Sequence, residues 1–301
     1  MIAKLDAAEL QRWLREKRSF SLIDVLPEEY FNEQHLPGAQ RACVYEVDFL
    51  EQVNKLGLAA DDAIVLYGAG RGSLDSAVAA EKLERAGFTQ VFDFRGGRAA
   101  WKESGGVFEG NGERSPAPRA PDDRTYSVDS ERSSIEWIGR NLNSTHRGTI
   151  RIAQGSLVLR GSQLESGRIS IDMSSIENTD IADHALRGVL EAHLKSDDFF
   201  DVERFPSAEL TIQSASPQTD ATPGTPNQRL AGELTIKGFT HPIEFPAIVS
   251  LGDDGALTAV AQLEIDRTRW NVLYGSGRFF QMLGKHLVND AVTLLVKIIA
   301  Q

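Results

Sequence analysis

The sequence predicts two domains of different class: an α/β domain with a parallel sheet at residues 1–108, and a mainly β domain at 125–301, an antiparallel barrel with one helical excursion. Three observations predict this. In the first hundred residues short apolar runs alternate with helical periodicity, the pattern of βα repeats around a sheet covered on both faces. From Tyr126 onward the hydrophobic period falls to two, that of half-buried antiparallel strands. Between them, residues 109–124 (EGNGERSPAPRAPDDR) carry Gly, Pro and charge without apolar periodicity and read as a tether, semi-rigid at 116–121.

Composition narrows the partners. A chain of 301 residues is long enough for two cores. A net charge of -11 argues against nucleic acid, or an anionic membrane surface, as the main partner. Residues 1–10 lack the apolar stretch of an export signal, and no apolar run approaches the roughly 20 residues needed to span a bilayer. The expectation is therefore a cytoplasmic protein with no integral membrane segment. The single cysteine, Cys43, excludes an internal disulfide and any Cys-based zinc cluster.

In the first domain Leu5, Leu10, Trp13 and Leu14 mark a helix over 5–17, and residues 20–25 (FSLIDV) a buried strand. A second strand at 63–67 meets a Gly/Ser-rich loop and then a helix at 76–86 that Gly87 stops. A third strand spans 90–94, before the Gly96-Gly97 turn. Reactive groups in such sheets sit at the carboxyl ends of strands, which points to the loop at 68–76.

The runs LIDV (22–25) with Glu28, Glu29 and Tyr30, HLPGA (35–39), IVLYG (64–68) and AGFTQVFDFRGGRAAW (86–101) resemble a rhodanese-like domain over most of this half. In active members the residue after the IVLY-type strand is a cysteine whose thiolate takes up sulfane sulfur. Here it is Gly68, and Ser73 stands where some relatives carry a second loop cysteine. The loop Gly68, Ala69, Gly70, Arg71, Gly72, Ser73 keeps the backbone N–H cradle at a helix N-terminus, suited to a small anion, with Arg71 adding charge. Ser73 has no adjacent base and reads as a loop or capping hydroxyl, Ser76 as the better cap. Cys43 reads as a small buried hydrophobe. With Gly68 in place of the sulfur-accepting cysteine, the domain is expected to be a non-enzymatic module for interaction or anion binding, leaving room for a protein partner on this domain and for a homodimer.

In the second domain Ile135 and Trp137 alternate with Glu136 and Arg140, and Ile169, Ile171 and Met173 with Arg168, Ser170 and Asp172. Further strands fall at 208–212, 230–237, 243–251, 257–265 and 291–299, with turns at Lys237-Gly238 and Asp253-Asp254-Gly255 and a long loop at 214–228. Asp180 is the expected helix cap, and Ala182, Leu186, Val189, Leu190 and Leu194 form an apolar face suited to covering one mouth. Eight or so strands and one helix favour a barrel able to hold one small ligand. On the hairpin 243–265 the inward set is Ile243, Phe245, Ala247, Val249 and Leu251 against Leu257, Ala259, Ala261, Leu263 and Ile265. The inward alanines leave volume that either a facing ring or an apolar ligand fills.

Two aromatic clusters flank this interior. Asp197, Asp198, Asp201 and Glu203 crowd around Phe199, Phe200 and Phe205 without the turn glycine of a calcium loop. His184 and His193 lie too far apart for a ligand pair on one helical turn. No metal is expected; the acids read as a hydrated helix end and the rings as a plug or gate. At 267–284 Trp270, Tyr274, Phe279 and Phe280 surround a Gly-Ser-Gly turn beside Arg267, Arg269 and Arg278. They rim the cavity, with an arginine for an anionic head group, or they are ordinary core rings with solvent-facing arginines.

The segments 174–183, 193–210 (HLKSDDFFDVERFPSAEL), 230–243 (LAGELTIKGFTHPI) and 265–272 (IDRTRWNV) resemble the YceI-like family of bacterial polyisoprenoid-binding proteins, lipocalin-like barrels. The resemblance covers essentially all of 126–301. It implies a tubular apolar cavity that sequesters an isoprenoid lipid or quinone without chemistry and without a required cofactor. Two alternatives stand beside this reading: an interaction scaffold with a filled barrel and, less favoured, a sulfurtransferase using Cys43.

Overall fold

The computed structural model describes residues 2–70, 72–112, 123–161, 163–252 and 254–301. Arg71, the tether centre at 116–121 and Asp253 lie outside the described residues. The chain divides into two compact units, Met1–Ala117 and Pro118–Gln301.

The first unit runs β1 (Ala3–Lys4), α1 (Ala7–Arg15), β2 (Ser21–Asp24), α2 (Glu28–Glu33), β3 (Gln40–Arg41), α3 (Phe49–Lys55), β4 (Ala63–Tyr67), α4 (Asp75–Arg85), β5 (Gln90–Phe94), α5 (Gly97–Glu103). Its five strands pair in parallel in the order β1-β5-β4-β2-β3. Strand β4 shows why the run is wholly apolar. Ile64 and Leu66 enter a core with Ala79 and Leu83 of α4, while Val65 and Tyr67 enter another with Trp13 and Trp101. α1 starts on a reciprocal cap, Asp6 accepting from the Glu9 N–H and Glu9 from the Asp6 N–H. A buried ion pair, Arg98 to Asp24 at 2.9 Å, ties α5 to the end of β2.

The second unit runs β6 (Thr125–Ser127), β7 (Ser134–Arg140), β8 (Thr145–Arg160), β9 (Gln163–Asn178), α6 (His184–Lys195), β10 (Ser207–Pro217), β11 (Gln228–Ile236), β12 (Phe239–Leu251), β13 (Leu257–Asp266), β14 (Ala291–Ala300). The ladder β8-β7-β14-β13-β12-β11-β10-β9 closes through β8–β9 into an eight-stranded antiparallel barrel. Closure removes the open edges a sheet would otherwise expose. β7 pairs with the first part of β8 and β6 with residues 156–158 further along it.

Strand β8 is absent from the sequence reading, and its bulges explain why. Gly148, Ile150 and Ile152 turn to one side, but the register shift between Ile152 and Gln154 puts an extra residue into β8 and changes the parity, so that Leu157 and Leu159 are the buried pair beyond. Another shift, between Ile212 and Ser214, hides the far half of β10, so the loop expected at 214–228 shrinks to 218–227.

Strand alternation assigns every connection to one end of the barrel. The β7–β8 hairpin, the β9–α6–β10 excursion, the β11–β12 turn and the β13–β14 segment share one end, called the mouth below. Among the described residues no helix is long and apolar enough to cross a membrane.

Candidate functional site

A cavity of about 350 Å³ occupies the barrel and reaches the mouth. That volume lies in the range of small-molecule sites, roughly 300–1,000 Å³. Its wall is almost wholly aliphatic and aromatic.

The hairpin parity read from sequence holds. Ile243, Phe245 and Ala247 of β12 and Ala259, Ala261, Leu263 and Ile265 of β13 line the cavity. Ala247 pairs with Ala261 across the ladder, two methyl-sized side chains at one level, which keeps the lumen open there. Val249, Leu251 and Leu257 instead pack in the solid core at the other end. Trp137 lines the wall from β7, its indole lying over Gly148, where any Cβ would collide with the ring.

At the mouth Phe199, Phe200, Trp270 and Tyr274 also line the cavity. Phe199 meets His193 edge-on at 4.9 Å and lies 5.3 Å from Tyr274, while His193 meets Tyr274 edge-on at 4.6 Å. Trp270 is fully buried, its Nε1–H donating to the Leu234 carbonyl at 2.8 Å. Lys237 Nζ donates to the carbonyls of Asp197 and Phe199 at 2.9 and 2.8 Å and so pins the aromatic plug to the β11–β12 turn.

Several expectations are corrected. Phe205 is not part of the cavity wall; its ring stands under Gly238 and beside the Arg204 guanidinium, bracing the β11–β12 turn. Phe279 and Phe280 are exposed and outside the lining. Asp183, not Asp180, caps α6, accepting from the Ala185 and Leu186 N–H groups. Asp180 instead accepts from the Arg147 N–H, His146 and Asn178. Burial pushes its carboxyl up, but these hydrogen bonds outweigh burial and hold it below its ordinary value. The apolar face of α6 divides: Leu190 and Leu194 line the cavity, while Leu186 and Val189 face solvent. The acids are not all hydrated, because Asp201 is buried in a left-handed backbone conformation (φ 47°) and pairs with Arg204 at 3.2 Å.

No arginine of the 267–284 segment is held out for a ligand. Arg267 is 3% exposed and donates to the carbonyls of Asn289, Val272 and Val288. Arg269 donates to the Pro242 carbonyl, and Arg278 pairs with Asp266 and Asp290. The sequence reading missed the polar residues that do line the mouth, Arg140, Asn141, His146, Lys285, His286 and Asn289. They sit on the β7–β8 hairpin and the β13–β14 segment, where no periodicity marks a side chain as inward. Ile171 and Met173, read from sequence as the apolar face of one strand but not assigned to the site, line the cavity as well, and so does Leu210 of the strand paired with it.

In the first unit the loop after β4 holds its own anion. Asp75 is buried, and its carboxylate accepts from the Ala69 N–H at 2.9 Å and from the Ser76 N–H at 2.8 Å. One donor of the expected anion cradle, the Ala69 N–H, is thereby taken. A Cβ on Gly68 would collide with the same carboxylate, and one on Gly70 with the Gly96 carbonyl. The Gly68 and Ala69 carbonyls accept from the Arg98 and Ala99 N–H groups at the start of α5. Gly72 is a left-handed residue (φ 90°), and Ser73 donates its N–H to the Gly70 carbonyl. Ser76 is not the cap of α4; its hydroxyl is buried and has no hydrogen-bond partner among the described residues. Cys43 is buried, which pushes its thiol up, away from the reactive thiolate.

A closed antiparallel barrel with an apolar lumen, a helix at one end and polar groups only at its mouth is a small-ligand-binding barrel of the lipocalin-like kind. More particularly, the chain belongs to the YceI-like family, whose domain profile matches residues 126–300. The rhodanese-like domain profile matches residues 6–104. Curated relatives include a UPF0312 protein of Pseudomonas putida, 28% identical over 125 residues, 40% of this chain. The match spans 60% of that relative's length. Similar solved structures include Burkholderia cenocepacia BcnA, at 21% identity over 58% of this chain and 99% of that one, with a TM-score of 0.46. A polyisoprenoid binding domain from Saccharophagus degradans follows at 14% identity, 58% and 97% coverage and a TM-score of 0.44.

Proposed function

We propose that this protein is a non-enzymatic carrier or sensor of an isoprenoid-like amphiphile, a quinone or polyprenyl lipid, held in the barrel with its chain inward and its head group at the mouth. One observation supports the reading above the others. The polar and ionisable side chains of the lining belong to the mouth segments, whereas the strands below contribute only apolar side chains. The cavity therefore matches a long apolar tail ending in one polar group. Cations and amides, Arg140, Lys285, Asn141 and Asn289, reach the mouth lining, and among the described residues no carboxylate does. That favours an uncharged or anionic head group over a cationic one. The apolar wall carries no nucleophile and no acid–base pair for chemistry on the tail.

The rhodanese-like unit acts in this reading as an interaction module. Gly68 offers no nucleophile, the Asp75 carboxylate occupies the loop, and Cys43 is buried.

Organic extraction of the purified chain followed by mass spectrometry tests the cargo, together with titration by ubiquinone read through quenching of Trp137 and Trp270 in the wall. Co-purified isoprenoid or saturable uptake at one per chain is expected. Absence of both would leave the scaffold reading, a barrel that carries no cargo.

A further inference from the structure

The exposed apolar side chains of the second unit are unevenly placed. Leu142 stands at the tip of the β7–β8 hairpin, Leu186 and Val189 on α6, and Phe279, Phe280 and Met282 in the β13–β14 segment, all exposed and all at the mouth. Phe239, the first residue of β12 beside the β11–β12 turn, joins them. Among the described residues of this unit, Val260 is the one large hydrophobic residue exposed elsewhere. These side chains come from separate connections that meet around one opening. Asn141 bridges to Val288, Val288 donates its N–H to the Gly275 carbonyl, and Tyr274 packs on His193 of α6. Soluble surfaces rarely gather this much apolar area unless something covers it.

From this placement we infer that the mouth end docks on the surface of a lipid bilayer, with Leu142, Leu186, Val189, Phe279, Phe280 and Met282 entering the headgroup–acyl boundary. The inference rests on the cavity's being a site for an apolar chain. Continuity with that cavity selects the occupant, since the exposed side chains ring the opening through which the chain must pass. A long hydrocarbon tail leaves a membrane for a protein lumen most readily when no water layer separates them. Outside the apolar tips the mouth lining turns to Arg140, His146, Lys285 and His286, side chains suited to headgroup depth. The net charge of -11 opposes an anionic surface, so the attachment is apolar and belongs to a zwitterionic bilayer.

Flotation of the full chain with phosphatidylcholine vesicles tests this. Two variant sets are used, Phe279→Ser/Phe280→Ser/Met282→Ser and Leu186→Asn/Val189→Asn, all at solvent-facing positions. The wild type is expected to float, and each set to cut the floating fraction about fivefold or more, while high salt leaves the wild type bound. Folding is checked by circular dichroism, and cargo uptake separately with a short-chain quinone in vesicle-free solution. A wild type that stays in the aqueous fraction, flotation that salt abolishes, or variants that float like the wild type would each overturn the docking. Flotation lost in folded variants that still take up quinone at wild-type stoichiometry supports it. If wild type and variants alike take up no quinone, the cargo reading fails, while flotation alone decides the docking.

Discussion

The carboxylate of Asp75 occupies the space that a side chain on Gly68 would need, and holds the Ala69 and Ser76 N–H groups there. A thiolate and this carboxylate are alternative occupants of one loop. Gly68→Cys is therefore expected to destabilise the first unit by about 1–3 kcal/mol through overpacking and electrostatic conflict, without conferring sulfur transfer. Gly68→Cys/Asp75→Ser, which removes the conflicting carboxylate, should recover most of that loss. Urea midpoints and a thiosulfate-to-cyanide assay measure both effects. Turnover by the wild type that Cys43→Ser abolishes would refute the non-enzymatic reading.

Arg267 carries a structural load rather than a ligand. Its guanidinium spans three carbonyls, Asn289, Val272 and Val288, at 3.0, 2.6 and 3.2 Å, and shuts the base of the β13–β14 segment. Burial pulls its pKa down, opposed by Asp290 and Asp266. Arg267→Met leaves these acceptors without their donor and should cost about 3–5 kcal/mol, read as a lower urea midpoint with an unchanged slope. Arg267→Lys should recover little, since one ammonium on a flexible stem cannot reproduce the planar fork.

These cases show what was legible beforehand. The two fold classes and the inward parity of β12 and β13 follow from hydrophobic period, because a buried face repeats every second residue whatever the surroundings. Strand β8 is illegible because the bulge between Ile152 and Gln154 breaks that parity midway, and β1 and β3, two residues each, are too short to show a period. Phe205, Phe279 and Phe280 were assigned to the site by residue type. Nothing in a loop's local sequence distinguishes a ring that braces a turn, or one that faces solvent, from one that lines a lumen. Asp75 and Gly68 lie seven residues apart, and only the return of α4 beneath the loop brings them together.

Ala261 and Ala247 face each other across the β12–β13 ladder, and both line the cavity. Ala261→Trp, or Ala259→Trp one step further in, should fill the cavity and reduce quinone uptake at least tenfold with little loss of fold. Fluorescence titration and a denaturation curve together make the check. Uptake equal to wild type in a folded variant would place the ligand outside the barrel.

The mouth also carries a pH dependence whose direction is set by Asp266. Burial raises its pKa, but the Thr268 hydroxyl and N–H and the Arg278 guanidinium outweigh burial, leaving the carboxyl below its ordinary 3.8. A carboxyl lowered in the folded state contributes stability that is complete above 3.8 and disappears as pH falls through the lowered value. Asp172, Asp180, Asp254 and Glu209 are lowered too, so the whole unit should weaken under acid. Asp266→Asn should be less stable than wild type above that interval, and the gap should narrow below it. Parallel urea curves across the interval measure the narrowing; a gap that stayed constant would assign the role of Asp266 to packing instead.

Lys237 connects the plug to the wall. It occupies a left-handed position (φ 52°) in the two-residue Lys237-Gly238 turn, an unfavourable conformation for a side-chain-bearing residue. From there Nζ reaches the carbonyls of Asp197 and Phe199 across the mouth. Lys237→Met keeps the backbone demand and the aliphatic stem but removes the ammonium and with it both hydrogen bonds, so the 197–200 segment should open more often. Loss of the two bonds, at a net cost of about 1.5 kcal/mol or more, corresponds to at least roughly tenfold faster ligand release through this side of the mouth. Stopped-flow displacement of a bound quinone reads the rate, and amide exchange at Phe199 and Phe200 reads the opening directly. If exchange accelerates but release does not, ligand leaves by the β7–β8 side, past Arg140 and His146, and Phe199 closes a wall rather than a gate.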